Sequence, residues 1–409
     1  MPSIAQTLAE WAVALDPAPD DLELADRSLL DTLAVTVAAA RDPVRSLAEE
    51  LPEAARWATF GHVLDFDDLH MESTAHVSVV CVPAVLAAGG DARAYLAAAG
   101  VMARLGTALG WSHYTRGWHA TCTAGAPAAA VGAGVALGLD AGGIARAVAL
   151  AVPAAGGVQR AFGTAAKSLQ VGFAADAGVR AARLADAGAS ADPAVLDQWF
   201  GLVGGEAATL DLSGPAVPGG LAIKLFPCCY ANQRPIGAVR QLLGAGVEAG
   251  DVEQIVVRTP AATLQPLLYS RPSTGLEGKF SLEYAIAATL ADGWPGFESF
   301  TDRAVQRPLV RALEKRVEVR VSPGGDGLLC GAFEVELRLT DGSARRTSVE
   351  LPPGAPGRPA TPEELRAKLV ACAGEQAPRL EAQTWDSASR YLREVLDRAD
   401  SAAAPAGIP

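Results

Sequence analysis

The spacing of apolar residues changes twice along this chain, and that change limits the fold more than any other feature. Up to about residue 225 apolar side chains recur at helical intervals, after Lys224 they alternate with polar ones, and towards the C-terminus the helical interval returns. Segment 21–40 puts Leu22, Leu24, Leu29, Leu30, Leu33 and Val37 along one face with acids in its first turn, which predicts an amphipathic helix. Asp140 predicts the cap of a second helix, and Lys167 opens a third that stops at Gly188. Small residues on these helices permit close backbone approach, so a compact bundle is expected. Segments 252–259, 316–322, 333–340 and 344–351 read as strands, with Asp341-Gly342 as the hairpin turn between the last two. A Pro- and Gly-rich linker, 352–360, leads to a helix start at Thr361-Pro and to more helix through 385–400. The fold class expected is mainly α. A large all-helical domain (1–225, returning at 356–409) carries an inserted α+β lid domain (226–355), with 401–409 expected to fray.

A length of 409 residues makes two domains a reasonable prior, and a chain that is half apolar and only 20% charged is not disordered. The net charge of −12 repels phosphate backbones and anionic lipid, so neither nucleic acid nor a membrane is an expected partner. Six scattered cysteines without CxxC spacing suggest reduced thiols, and the N-terminus has no basic stretch before an apolar one; a cytoplasmic location is expected. The uncharged run 120–139 has about the length of a membrane span, but it is built of Ala, Gly, Thr and Pro, which predicts a helix buried on all sides.

The chemistry is concentrated early. All five histidines lie between residues 62 and 119, and the segment 61–76 adds Asp65, Asp67, Asp68 and Glu72 to His62, His70 and His76. Three physical readings compete. Asp and His can hold a divalent metal, although no HExxH or regular calcium loop is present. A His paired with an Asp can transfer protons near neutral pH. Structurally, Asp65 to Asp68 could cap a helix while the histidines satisfy hydrogen bonds in the core.

Five segments carry a resemblance, in order. GHVLDFDDLHMESTAHVSVVCVPAVLA (61–87) is similar to LDFDDTH…HPS…PA, and GWHATCTAGAPAAAVGAGVALGLD (117–140) to GFHPTGT…GAAAAA…LLGLD. FGTAAKSLQVGFAADAGVRAARLADAG (162–188) is similar to FGTxxKxLHAGxAAxxGxxAAxLAxxG, KLFPCCYANQRPIGAV (224–239) to KxYPCCxxTHxxIDA, and KFSLEYAIAATLADG (279–293) to FSxxYxVAxALxDG. These motifs resemble those of the MmgE/PrpD family of dehydratases, decarboxylases and epimerases. The resemblance implies a helical domain with an inserted lid, a reaction without cofactor or metal in a cleft between the two, a small organic acid as substrate, and a homodimer. Carried over by motif position, it implies Asp65, His76, His119, Lys167 and Tyr284 as catalytic residues and Lys224 as a substrate contact; Gln233, His70 and Arg116 are further expected substrate contacts. His119 or His76 would take the proton next to a carboxylate or carbonyl, Asp65 would orient an imidazole, and Lys167 and Lys224 would hold carboxylates.

The chain departs from those motifs where Gln233 replaces a His, Leu69 a Thr and Phe226 a Tyr, and the stretch between Ala40 and Trp57 is short. A Gln cannot deliver a proton to a departing hydroxide, which shifts the expectation away from 2-methylcitrate dehydration. Lyase chemistry remains the first expectation, followed by an isomerase, epimerase or cyclase on the same scaffold. A metal-dependent hydrolase using Asp65, Asp67, His70 and His76 is the alternative from a different class.

Overall fold

The computed structural model describes residues 2–206 and 210–403. The chain divides into two compact units, the first built from residues 1–158, 165–221 and 362 onward, the second from 159–164 and 222–361. Residues 404–409, part of the tail expected to fray, lie outside the described residues, whereas 401–403 continue the last helix.

The first unit is helical: α1 (Ile4–Ala14), α2 (Pro19–Ala38), α3 (Glu53–Val63), α4 (Ser78–Ala88), α5 (Ala92–Thr115), α6 (Gly125–Ala136), α7 (Ala141–Ala151) and α8 (Ala166–Asp186). Its boundaries follow local chemistry. Pro19 opens α2 with Asp20 and Asp21 in the first turn, the Asp140 carboxylate accepts from the Gly143 N–H at 2.7 Å to start α7, and Gly188 follows α8 with φ +89°. The run 120–139 is not one helix. A short turn of helix, Ala120–Thr123, precedes α6, which is buried all round from Gly125 to Gly134 and packs against α4, α5, α7 and α8. No helix among the described residues is long and apolar enough to cross a membrane.

Close approach comes from missing side chains. A Cβ at Gly178 of α8 would come within 3.0 Å of Ala129 and the Ala130 backbone on α6, and one at Gly172 within 3.0 Å of Thr59 and the Ala55 backbone on α3. The C-terminal return is fastened electrostatically. Lys368 extends from a helix spanning Pro362–Ala373, forms a 2.6 Å ion pair with Asp31 of α2, and donates to the Phe66 carbonyl at 2.7 Å.

The second unit holds a four-stranded sheet in the order β2-β1-β3-β4, with β1 (Val252–Pro260), β2 (Val317–Ser322), β3 (Phe333–Leu339) and β4 (Ala344–Val349). The β1–β2 pair is parallel and the other two pairs are antiparallel, with Ile255 opposite both Val317 and Leu337. Gly342 turns the β3–β4 hairpin at φ +81°, as Asp341-Gly342 predicts. Helices Gln233–Gly244, Leu282–Asp292 and Pro308–Glu314 supply Ile236, Val239, Tyr284, Ile286, Val310 and Leu313 to a core shared with the inner face of the sheet. Residues 159–164 join this unit because the Phe162 ring stacks on Phe280 at 5.4 Å and its carbonyl accepts from the Tyr269 hydroxyl at 2.9 Å. The strands and terminal helices thus fall where the change of period puts them, and the described residues are mainly helical with one small sheet.

Candidate active site

Helix α3 ends by swinging the chain into a left-handed turn. Leu64 caps it, and Asp65 follows with φ +53° while its N–H donates to the His62 carbonyl at 3.0 Å. That position favours glycine or asparagine, so an aspartate there costs about 1 kcal/mol of backbone strain. The chain then places Asp67 and Asp68 on different partners. Asp68 accepts from the Ser78 N–H at 3.1 Å and from the Ser78 hydroxyl at the start of α4, so the capping role expected for the segment belongs to Asp68. Asp67 faces two imidazoles with one oxygen: Oδ2 lies 2.8 Å from His62 Nδ1 and 2.9 Å from His76 Nδ1.

Lys167, in the first turn of α8, completes the group. Its Nζ is 2.6 Å from His62 Nε2 and 3.3 Å from Asp65 Oδ1, and the same Asp65 oxygen lies 3.9 Å from His76 Nε2. His119 joins from the start of helix Ala120–Thr123, with ring centroids 5.8 Å from His62 and 6.4 Å from His76. All six side chains are buried. Asp65, His76, His119 and Lys167, expected as catalytic residues, are therefore brought together within the first unit.

Proton positions follow from the contacts. Burial opposes ionisation of Asp67, but His62 and His76 outweigh it and hold the carboxyl well below the usual carboxylate range. An ionised Asp67 accepts, so His62 Nδ1 donates to it. His62 Nε2 and the Lys167 nitrogen are too close for both to point a proton at the other; a lysine ammonium has donors and no acceptor, so it donates to the imidazole lone pair. Burial pushes His62 down, Asp67 pulls it up and Lys167 pushes it down again, with a net fall that agrees with a neutral ring. The result is an ordered chain from Asp67 through His62 to Lys167.

The other two histidines are structural. His70 Nδ1 lies 2.8 Å from the Ser73 hydroxyl and Nε2 2.7 Å from the Pro218 carbonyl, while His113 bridges the Val203 carbonyl at 2.8 Å and the Thr123 hydroxyl at 2.9 Å. His70, expected as a substrate contact or a metal ligand, has both ring nitrogens occupied, one by its own turn and one by the distant Pro218 carbonyl, which tells against the hydrolase reading. Among the described residues, His62, Asp67 and His76 offer ligand atoms within 4.8 Å of one another. Their nitrogens, however, sit at hydrogen-bond distance from a single oxygen, whereas ligand atoms around a tetrahedral metal with bonds near 2.1 Å stand about 3.4 Å apart. A fixed ammonium on the far side of His62 also disfavours a second cation.

A family model for the MmgE/PrpD N-terminal domain matches residues 51–205, and one for the MmgE/PrpD C-terminal domain matches residues 226–393. The chain belongs to the MmgE/PrpD family. It is 27% identical over 421 residues to the cis-aconitate decarboxylase of Aspergillus terreus, covering 86% of this chain and 85% of that protein. It is 25% identical over 433 residues to the cis-aconitate decarboxylase-like protein oryM of Aspergillus oryzae (90% and 89% covered), and 28% identical over 301 residues to the cis-aconitate decarboxylase of Mus musculus (68% and 60% covered).

The remaining expected site residues of this MmgE/PrpD protein have other surroundings. Lys224, Gln233 and Tyr284 belong to the second unit. Lys224 is buried. The Gln233 amide is occupied by the backbone of its own turn: Oε1 accepts from the Leu225 and Phe226 N–H groups at 3.3 and 3.2 Å, and Nε2 donates to the Phe226 carbonyl at 2.9 Å and the Cys228 carbonyl at 3.3 Å. It holds a loop. The Tyr284 hydroxyl donates to the Ser299 carbonyl and its ring meets Phe300 edge-on, a core arrangement in which burial raises its pKa to about 12. Arg116 caps the C-terminus of α5 through its backbone N–H, and its guanidinium sits over Gly204. His62 stands in the sequence cluster with no expected role; its position in the last turn of α3 gives it one.

Asp68 supplies a pH test of the buried network. Burial first, and then the Asp31 carboxylate, raise its pKa to about 7. A raised carboxyl contributes stability that is full below the unfolded value near 4 and is lost as pH rises through about 7, because the folded chain keeps a proton the unfolded chain releases. Asp68→Asn removes that slope while keeping an acceptor for the Ser78 N–H. Its melting temperature relative to the parent should therefore climb by a few degrees between about pH 5 and pH 8 in parallel thermal scans; a constant difference across that range would refute the assignment.

Proposed function

We propose that this chain is a lyase acting on a small organic acid with at least two carboxylates, losing CO2 or a proton next to a carboxylate without a cofactor. The observation that carries this is the convergence of His62, His76, His119 and Lys167 on Asp65 and Asp67 in one buried cluster. Cleaving a bond next to a carboxylate leaves electron density on an enediolate-like fragment. Water stabilises such a fragment poorly, whereas donors already fixed in a desolvated site stabilise it without reorganising. Lys167 is a donor whose direction is set by His62 and Asp65, and an imidazole beside it can move a proton to or from carbon. The decarboxylase names of the relatives agree with this reading.

Incubation with a panel of di- and tricarboxylates and β-keto acids in D2O, followed by mass spectrometry, tests it. One acid should lose the mass of CO2 and gain deuterium at the adjacent carbon. Deuterium gained without loss of mass would instead favour the epimerase or isomerase reading, which the spent amide of Gln233 leaves open. Neither change in any acid of the panel would reject both.

A further inference from the structure

The ring of His119 is constrained at Nδ1. Its backbone N–H donates to the Gly157 carbonyl at 3.0 Å, and Trp118 forms a bridge with Val158. Gly157 is required for that approach: it has φ +139°, and a Cβ there would come within 3.0 Å of Cys122. The next residue controls a side-chain amide. The Val158 N–H donates to Gln170 Oε1 at 3.0 Å, and Gln170 Nε2 reaches back to the Val158 carbonyl at 3.3 Å. With the N–H and the carbonyl of one residue read at once, Gln170 has one orientation; flipping it would set donor against donor and acceptor against acceptor. In that orientation its NH2 group points to His119 Nδ1 at 2.8 Å.

We propose that Gln170 is a positioning residue that fixes the tautomer of His119, keeping the proton on Nε2 so that this histidine meets substrate as a donor and not as the base. A second observation agrees. The Cys122 sulfur lies 3.4 Å from the same Nδ1, and burial keeps that thiol protonated, so its S–H is there to donate to the same lone pair. Burial, with the charge of Lys167 behind it, holds the His119 ring neutral, and a neutral imidazole that accepts at one nitrogen carries its proton on the other. The catalytic consequence rests on the lyase reading above: the proton acceptor would be His76, which lies between two carboxylates, and His119 would stabilise or protonate the carbanion.

The test reads the ring itself. In ligand-free protein labelled with 15N-histidine, long-range proton–nitrogen correlations distinguish the two neutral tautomers and the cation, and the His119 signals are those missing from the His119→Asn spectrum. The expected pattern is that of the Nε2–H tautomer. In Gln170→Glu, a carboxylate that can only accept should convert it to the Nδ1–H or doubly protonated pattern and lower kcat at least about tenfold with a smaller change in KM. An Nδ1–H or charged pattern in the parent protein, or a pattern unmoved by Gln170→Glu, would overturn the proposal. Because the spectrum needs no turnover, failure of the lyase reading would show separately, as an inactive parent with the expected tautomer.

Discussion

Lys167→Met is expected to reduce kcat/KM by about a hundredfold to a thousandfold while the protein still folds. The ammonium does two things at once. It donates to His62 Nε2 at 2.6 Å and faces Asp65 at 3.3 Å, so its loss removes a preorganised charge and leaves the carboxylate that oriented it without a counterion. Donors of this kind, acting where water is excluded, contribute on the order of 3–4 kcal/mol each to a developing anion. Removing one member of a buried ion pair also costs about 3–5 kcal/mol of stability, so the melting temperature should fall by several degrees. Lys167→Gln separates the effects, since it keeps a donor to His62 without the charge. If Lys167→Gln retained near-parental kcat/KM, the ammonium would be a packing element and its catalytic assignment would fail.

His119→Ala should lower kcat by about 10²–10⁴-fold, the range of a positioned proton-transfer group. Its effect on stability should be smaller, about 1–3 kcal/mol, because the deletion takes one acceptor from the Gln170 amide and opens a buried space but leaves the Gly157–His119 backbone bond intact. A loss of activity matched by collapse of the melting transition would return His119 to a structural role. The pair of substitutions also discriminates within the cluster. Lys167→Met disturbs the Asp67–His62 side, His119→Ala disturbs the Gln170 side, and both should slow turnover of the same substrate if the two sides act together.

Much of this arrangement is legible in the order of residues. The period of apolar positions marks the helices and the strands, Asp140 caps where a short acceptor belongs, and Asp341-Gly342 turns where only a small residue tolerates positive φ. Asp65, His76, His119 and Lys167 stand out because similar motifs carry them. What cannot be read is whatever depends on how the helices roll against one another. His62 and His70 flank Asp67 closely on either side in the sequence, and nothing local ranks one above the other. One ends a helix against Asp67 and Lys167, while the other closes a turn on Ser73, and only packing separates them. Gln170 lies on the same side of α8 as Lys167, yet what fixes its amide is the backbone of Val158, well before the helix begins. The pairing of Lys368 with Asp31 spans most of the chain and leaves no local trace. Tyr284 and Gln233 show the reverse difficulty, since residues prominent in a motif turn out to bond the backbone around them.

Gly172 and Gly178 give the small-residue composition a mechanical meaning. They act as spacers of zero thickness, setting the depth at which α8 lies against α3 and α6. Because Lys167 and Gln170 ride on that same rod, a methyl group added further along it would translate the ammonium and the positioning amide together. The catalytic tolerances of this protein are therefore written partly in positions that touch no reactant at all, and a search for activity-altering substitutions confined to polar side chains would pass over them.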